Sequence, residues 1–159
     1  MINLGLKWVR IGEFSWSRLE PKENEFSFEW LDRAIETLGK VGLSIILGTP
    51  TATPPTWVIK KYPDMLALDA DGRQRGFGSR RHYCFSHEGY RNQCSKIVRK
   101  LAERYGSNLY IQAWQTDNEY GCHDTTISYS SSALKSFQSW LAKIYGCLLY
   151  TSDAADELR

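Results

Sequence analysis

Leu109-Tyr110-Ile111-Gln112-Ala113-Trp114-Gln115-Thr116-Asp117-Asn118-Glu119-Tyr120 is the stretch on which the fold turns. Its first eight residues are rich in β-branched and aromatic side chains and follow a glycine at Gly106, the pattern of a strand entered from a helix end. Its last residues are polar and acidic, so the strand delivers an Asn-Glu pair at its C-terminal tip. Two runs upstream have the same character: Lys7-Trp8-Val9-Arg10-Ile11 after Gly5, and Leu43-Ser44-Ile45-Ile46-Leu47 after Gly42.

Helical periodicity fills the intervals. Leu31, Ala34, Ile35 and Leu38 recur at helical spacing. So do Tyr90, Cys94, Ile97, Val98, Leu101 and Tyr105, and then Leu134, Phe137, Leu141 and Ile144. One apolar stripe per helix predicts that each covers a face of something else, with the charged residues on solvated faces. Strand and helix alternate three times, the rhythm of βαβ units around a parallel sheet. The segments leaving the strands are long (12–28, 49–87 and 116–131), and those entering them are short. Long excursions after strand C-termini are where a TIM barrel keeps its chemistry. No GxGxxG or GxxxxGK[ST] follows a strand, which argues against nucleotide binding. A full barrel takes eight such units and about 250 residues. The chain has 159 residues. The expected architecture is therefore α/β, a partial TIM (β/α)8 barrel of about strands 2 to 4 with their helices.

Composition narrows the function. With 20 Lys+Arg against 18 Asp+Glu, the net charge of +2 provides no broad basic field for nucleic acid. No apolar run approaches the about 20 residues that span a bilayer. Cys84, Cys94, Cys122 and Cys147 show no CxxC spacing and are too few for a disulfide scaffold. They read as free thiols in a reducing compartment, which predicts a cytoplasmic protein; the residues after Met1 do not read as a signal peptide. Six Trp and nine Tyr suit carbohydrate recognition, although a packed core holds as many.

An Asn-Glu pair at a strand tip suits glycoside cleavage: the acid can protonate a leaving oxygen while the amide holds a sugar hydroxyl. A Trp-lined apolar surround would keep that acid protonated near neutrality. The longer motifs are more specific. They are Val9-Arg10-Ile11-Gly12-Glu13-Phe14-Ser15-Trp16, Arg18-Leu19-Glu20-Pro21, Trp30-Leu31-Asp32, Leu47-Gly48-Thr49-Pro50-Thr51-Ala52-Thr53-Pro54-Pro55, Arg80-Arg81-His82-Tyr83-Cys84-Phe85-Ser86, and Trp114 through Asp124. Together, over about residues 3–146, they closely resemble glycoside hydrolase family 42, the bacterial and archaeal β-galactosidases.

That resemblance implies a retaining enzyme acting on terminal β-D-galactosyl residues of galactosides or oligosaccharides. Glu119 matches the general acid/base, and Asn118 and Arg80 match residues that bind the galactosyl unit. Arg80 or Arg81 could otherwise form a loop ion pair, and Arg10 and Glu13 could support the same cleft. The family's nucleophile lies on the seventh strand, so the chain by itself is expected to carry the acid/base without its partner and to hydrolyse no galactoside. Ile2 to Lys7 match the end of the family's first helix. No cofactor is implied, and the family often forms trimers. Some members hold zinc with four cysteines; here Cys84 stands at one such position, and Ser128, Ser130 and Ala133 match the others, so no such zinc is expected. Cys122, His123 and Asp124 read as loop packing and hydrogen bonding. Residues 1–146 thus read as an incomplete glycoside hydrolase barrel domain. Residues 147–159 depart from the pattern and resemble the translation of a sequencing adapter, a suspected non-native tail. The alternatives are a glycosidase of the same clan with another sugar preference, or a noncatalytic carbohydrate-binding module. The latter would need an antiparallel β-sandwich.

Overall fold

The computed structural model describes residues 2–78, 81–122 and 125–146. The suspected tail, and with it Cys147, lies outside the described residues, as do Arg80, His123 and Asp124. Strand β1 (Trp8–Ile11) is followed by a short helix α1 (Trp16–Leu19) and helix α2 (Glu29–Lys40). Strand β2 (Ser44–Gly48) leads through α3 (Thr56–Lys61) to the long helix α4 (Glu88–Tyr105). Strand β3 (Ile111–Gln115) and helix α5 (Ser131–Tyr145) complete the order. The three strands form one parallel sheet in the order β1-β2-β3. This is a partial α/β barrel, as expected, and not the antiparallel sandwich of a binding module.

The helix boundaries follow local chemistry. Glu29 and Asp32 lie in the first turn of α2 and Lys40 in its last, each on the favourable end of the helix dipole. His87 caps α4, its Nδ1 accepting from the Tyr90 N–H at 3.1 Å. Ser130 caps α5 by accepting from the Ala133 N–H, and Gly146 ends it in the left-handed conformation. Strand β3 is shorter than its apolar run. The Asn108 side chain accepts the Tyr110 N–H at 3.0 Å, so Leu109 and Tyr110 sit in a turn.

The core lies between the sheet and helices α2 and α4. Ile45 and Leu47 from β2 are fully buried there with Leu31, Ile35, Ile97 and Leu101. Gly39 lets α2 approach closely, since a Cβ at that position would meet the Tyr110 ring at 2.1 Å. Asp32 ties α2 to α4. It accepts from the Tyr105 hydroxyl at 2.7 Å and from Arg104, whose guanidinium holds the Asp32 carboxyl below its usual range.

Glu20, from the Leu-Glu-Pro motif, is a wholly buried carboxylate. It accepts from Trp16 Nε1 at 3.0 Å, from the Asn24 N–H at 2.9 Å and from Lys96 at 2.7 Å, and its carbonyl accepts from Trp57 Nε1 at 2.9 Å. Two of the tryptophans are therefore structural.

One expectation fails. Helix α5 buries none of its residues: Phe137 is 56% and Trp140 52% exposed, and Leu134, Ile144 and Tyr145 are exposed too. Trp8 of β1 and Trp114 of β3 also face solvent, on strands that form the two edges of the sheet. Among the described residues no helix is long and apolar enough to cross a membrane.

Two consequences can be measured. Produced alone, the 159-residue chain should self-associate and strongly enhance the fluorescence of an apolar dye, because open edges and a bare helix face invite pairing. Light scattering from a dye-silent monomer would contradict this. In the full-length protein, Glu20→Ala should lower stability by about 2–3 kcal/mol by stranding the Trp16 N–H and the Lys96 ammonium. The urea midpoint reads this out, and an unchanged midpoint would refute it.

Candidate active site

The C-terminal ends of the three strands and the long loop after β2 enclose one cleft of about 410 Å³. Phe14 reaches it from β1, Pro54 and Pro55 from the β2 loop, Phe77, Arg81 and His82 further along that loop, and Asn118 and Cys122 from β3. The approach of the first two loops depends on Gly48: a Cβ there would lie 2.8 Å from that of Glu13. The walls are phenylalanine and proline, not the expected tryptophan. Trp16 and Trp57 are committed to Glu20, and Trp8, Trp114 and Trp140 are exposed elsewhere.

Asp117 organises the floor. It is buried, and its φ of 56° lies in the left-handed region. Its N–H donates to Thr49 Oγ1 at 2.7 Å. Its Oδ2 accepts from the Thr51 hydroxyl at 2.7 Å, and its Oδ1 from the Asn118 N–H at 2.7 Å. Arg81 completes the set. Its Nη1 lies 3.6 Å from Asp117 Oδ1, and its Nη2 donates to the Asn118 carbonyl. The guanidinium sits 5.5 Å from the ring centroids of both Phe85 and Tyr120. Left-handed backbone costs a non-glycine residue roughly 1–2 kcal/mol. Asp117, Arg81 and Glu119 all adopt it. Hydrogen bonds to a charged group contribute about 1.5–3 kcal/mol each, so those to the Asp117 carboxylate and from Arg81 Nη2 oppose the strain of the turn.

Two of the expected residues come together here. Asn118 is buried and lines the cleft, its Oδ1 accepting from Gln115 Nε2 at 3.3 Å. Glu119 follows it in the chain; it is exposed, with φ 51°, and is not among the residues that line the cleft. An exposed setting replaces the buried one expected for it. Arg80 lies outside the described residues; it is Arg81 that forms the ion pair, in the interior. Arg10 and Glu13 pair with each other at 3.0 Å beside the cleft rather than on its wall. The roles of Arg81, Asp117, Thr49 and Thr51 escaped the motifs. All four lie inside the quoted motifs, but nothing in the motifs says that they meet.

Behind the site, Cys84 shares a second cavity with Ser128 and Ala133. Ser128 Oγ donates to Ser130 Oγ at 3.1 Å and accepts from the Leu68 N–H at 3.3 Å. One thiol, two hydroxyls and a methyl do not make a zinc donor set, and hydrogen bonds join these loops instead. Among the described residues no cluster of three metal-ligating side chains occurs. On the far side of Asp117, Cys94 lies against Tyr90, and burial pushes its thiol up to about 12.

A raised thiol pKa means that Cys94 stays protonated and unreactive until strongly alkaline pH. Iodoacetamide at about pH 8 should therefore modify Cys122, in the open cleft, well before Cys94 in the native full-length protein. Equal modification of the two by peptide mass mapping would contradict the assignment.

The family model for β-galactosidases of glycoside hydrolase family 42 matches residues 1–154. A β-galactosidase of Thermus thermophilus is 49% identical over 154 residues, covering 97% of this chain and 24% of that protein. The crystal structure of a β-galactosidase from the psychrophilic Marinomonas ef1 superposes with a TM-score of 0.93 at 50% identity, over 99% of this chain and 24% of the other. The β-galactosidase of the Antarctic haloarchaeon Halorubrum lacusprofundi gives a TM-score of 0.89 at 45% identity, over 97% and 23%. The chain thus spans about a quarter of the length of these relatives. Its strand-tip Asn-Glu pair, its parallel sheet and these likenesses agree that the chain belongs to glycoside hydrolase family 42.

Proposed function

We propose that the whole protein is a retaining β-galactosidase that releases terminal β-D-galactosyl residues, with Glu119 as its general acid/base. The supporting observation is the placement of Asn118 and Glu119 at the C-terminal end of β3, beside a cleft bounded by the loops of all three strands. In the first step the Glu119 carboxyl gives its proton to the glycosidic oxygen as the bond to the anomeric carbon breaks. A second carboxylate, about 5–5.5 Å away and supplied by chain beyond this segment, bonds to that carbon. In the second step the Glu119 carboxylate takes a proton from water. The resulting hydroxide oxygen bonds to the anomeric carbon and displaces the enzyme carboxylate. Asn118 offers a donor and an acceptor to sugar hydroxyls, and Arg80 offers fixed donors. The apolar walls of Phe14, Pro54, Pro55 and Phe77 suit the carbon face of a sugar or its aglycone. The free thiols Cys84, Cys94 and Cys122 fit a reducing, cytoplasmic location.

In the full-length protein, Glu119→Gln should lower kcat/KM on lactose by about 10²–10⁴-fold while galactose still binds. Steady-state kinetics with a calorimetric titration of galactose test this. Unchanged turnover would sink the assignment, and a wild-type protein that binds galactose without turnover would favour a noncatalytic binder.

A further inference from the structure

We propose that Arg81 and Asp117 are positioning residues that fix the proton donor through the backbone. The inference rests on the reading of Glu119 as that donor. The two peptide units that flank Asn118 are held from opposite ends. The Asn118 N–H is bound by Asp117 Oδ1 at 2.7 Å, and the Asn118 carbonyl is bound by Arg81 Nη2. That carbonyl belongs to the same peptide plane as the Glu119 nitrogen, so Arg81 sets the direction in which Glu119 leaves the strand. Asp117 and Glu119, on either side, both have positive φ, 56° and 51°. Neither residue would rest there without restraint. Asp117 is itself anchored to the β2 loop through Thr49 and Thr51, each at 2.7 Å. The donor's place is thereby referred to the central strand of the sheet and not to its own exposed loop. Arg81 is suited to the task because it is buried, permanently charged and flanked by the Phe85 and Tyr120 rings.

A misplaced proton donor has a kinetic signature that general damage to the fold lacks. Substrates with poor leaving groups need the proton, and substrates with activated leaving groups do not. The test uses the full-length protein with Arg81→Lys, Asp117→Asn and Thr51→Val, and with Glu119→Ala in parallel. Each is assayed on methyl β-D-galactoside and on dinitrophenyl β-D-galactoside. Arg81→Lys keeps the charge but loses the fork, and Asp117→Asn keeps the shape but loses the charge. Both should lower kcat/KM on the methyl glycoside by about 10–100-fold and on the dinitrophenyl glycoside by less than about threefold. Thr51→Val removes one hydroxyl and leaves the ion pair, so it should shift the ratio the same way by about threefold. It decides the matter if a charged-pair variant is insoluble. Equal losses on both substrates, or none, alongside a selective loss in Glu119→Ala would overturn the positioning role alone. A Glu119→Ala variant with no leaving-group selectivity would overturn the acid/base reading and this inference with it.

Discussion

A carboxylate buried at the end of a strand has to be neutralised, hydrogen-bonded or both, and the active end of this protein is built around meeting that need. Asp117 draws two threonine oxygens from the β2 loop, one backbone N–H from its own loop and a guanidinium from a loop more than thirty residues upstream. Left without these partners a buried charge would carry its full desolvation cost. With them Asp117 becomes the point where the β3 loop meets both the start and the far end of the long β2 loop. The backbone of Asn118 is tied into that meeting through both its N–H and its carbonyl.

The sheet imposes the second constraint. Parallel strands must have both faces covered, and here the helices α2 and α4 cover only one. Ile45 and Leu47 of β2 lie buried beneath them. At the sheet's edges Trp8 and Trp114 remain open, and among the described residues no residue of α5 is buried. The relatives are about four times as long as this chain.

Much of this was legible in the sequence, and what was not has identifiable reasons. The strands and long helices were visible because Val9, Ile45 and Ile111, or Ile97 and Leu101, repeat at the period of their element. The Asn118-Glu119 pair was visible because it follows such a strand. Periodicity reports that a face is apolar and not what covers it, so the stripe from Leu134 to Ile144 read as packed although it is exposed. Composition counts tryptophans without saying which are spent; Trp16 and Trp57 are taken by Glu20. Of two adjacent arginines, spacing could not say that Arg81 turns inward, because that depends on a left-handed φ of 52° set by distant contacts. Asp117 stood inside a quoted motif but without a role, since its partners Thr49 and Thr51 lie 68 and 66 positions away.

The positive φ on either side of Asn118 has a dynamic corollary. Rotation of the Asn118–Glu119 peptide plane, a crankshaft flip, offers Glu119 a route back to ordinary right-handed backbone. The carbonyl's grip by the guanidinium opposes that rotation. Warming or salt that loosens this contact therefore frees the Asn118–Glu119 backbone to relax locally while helices and sheet are still intact.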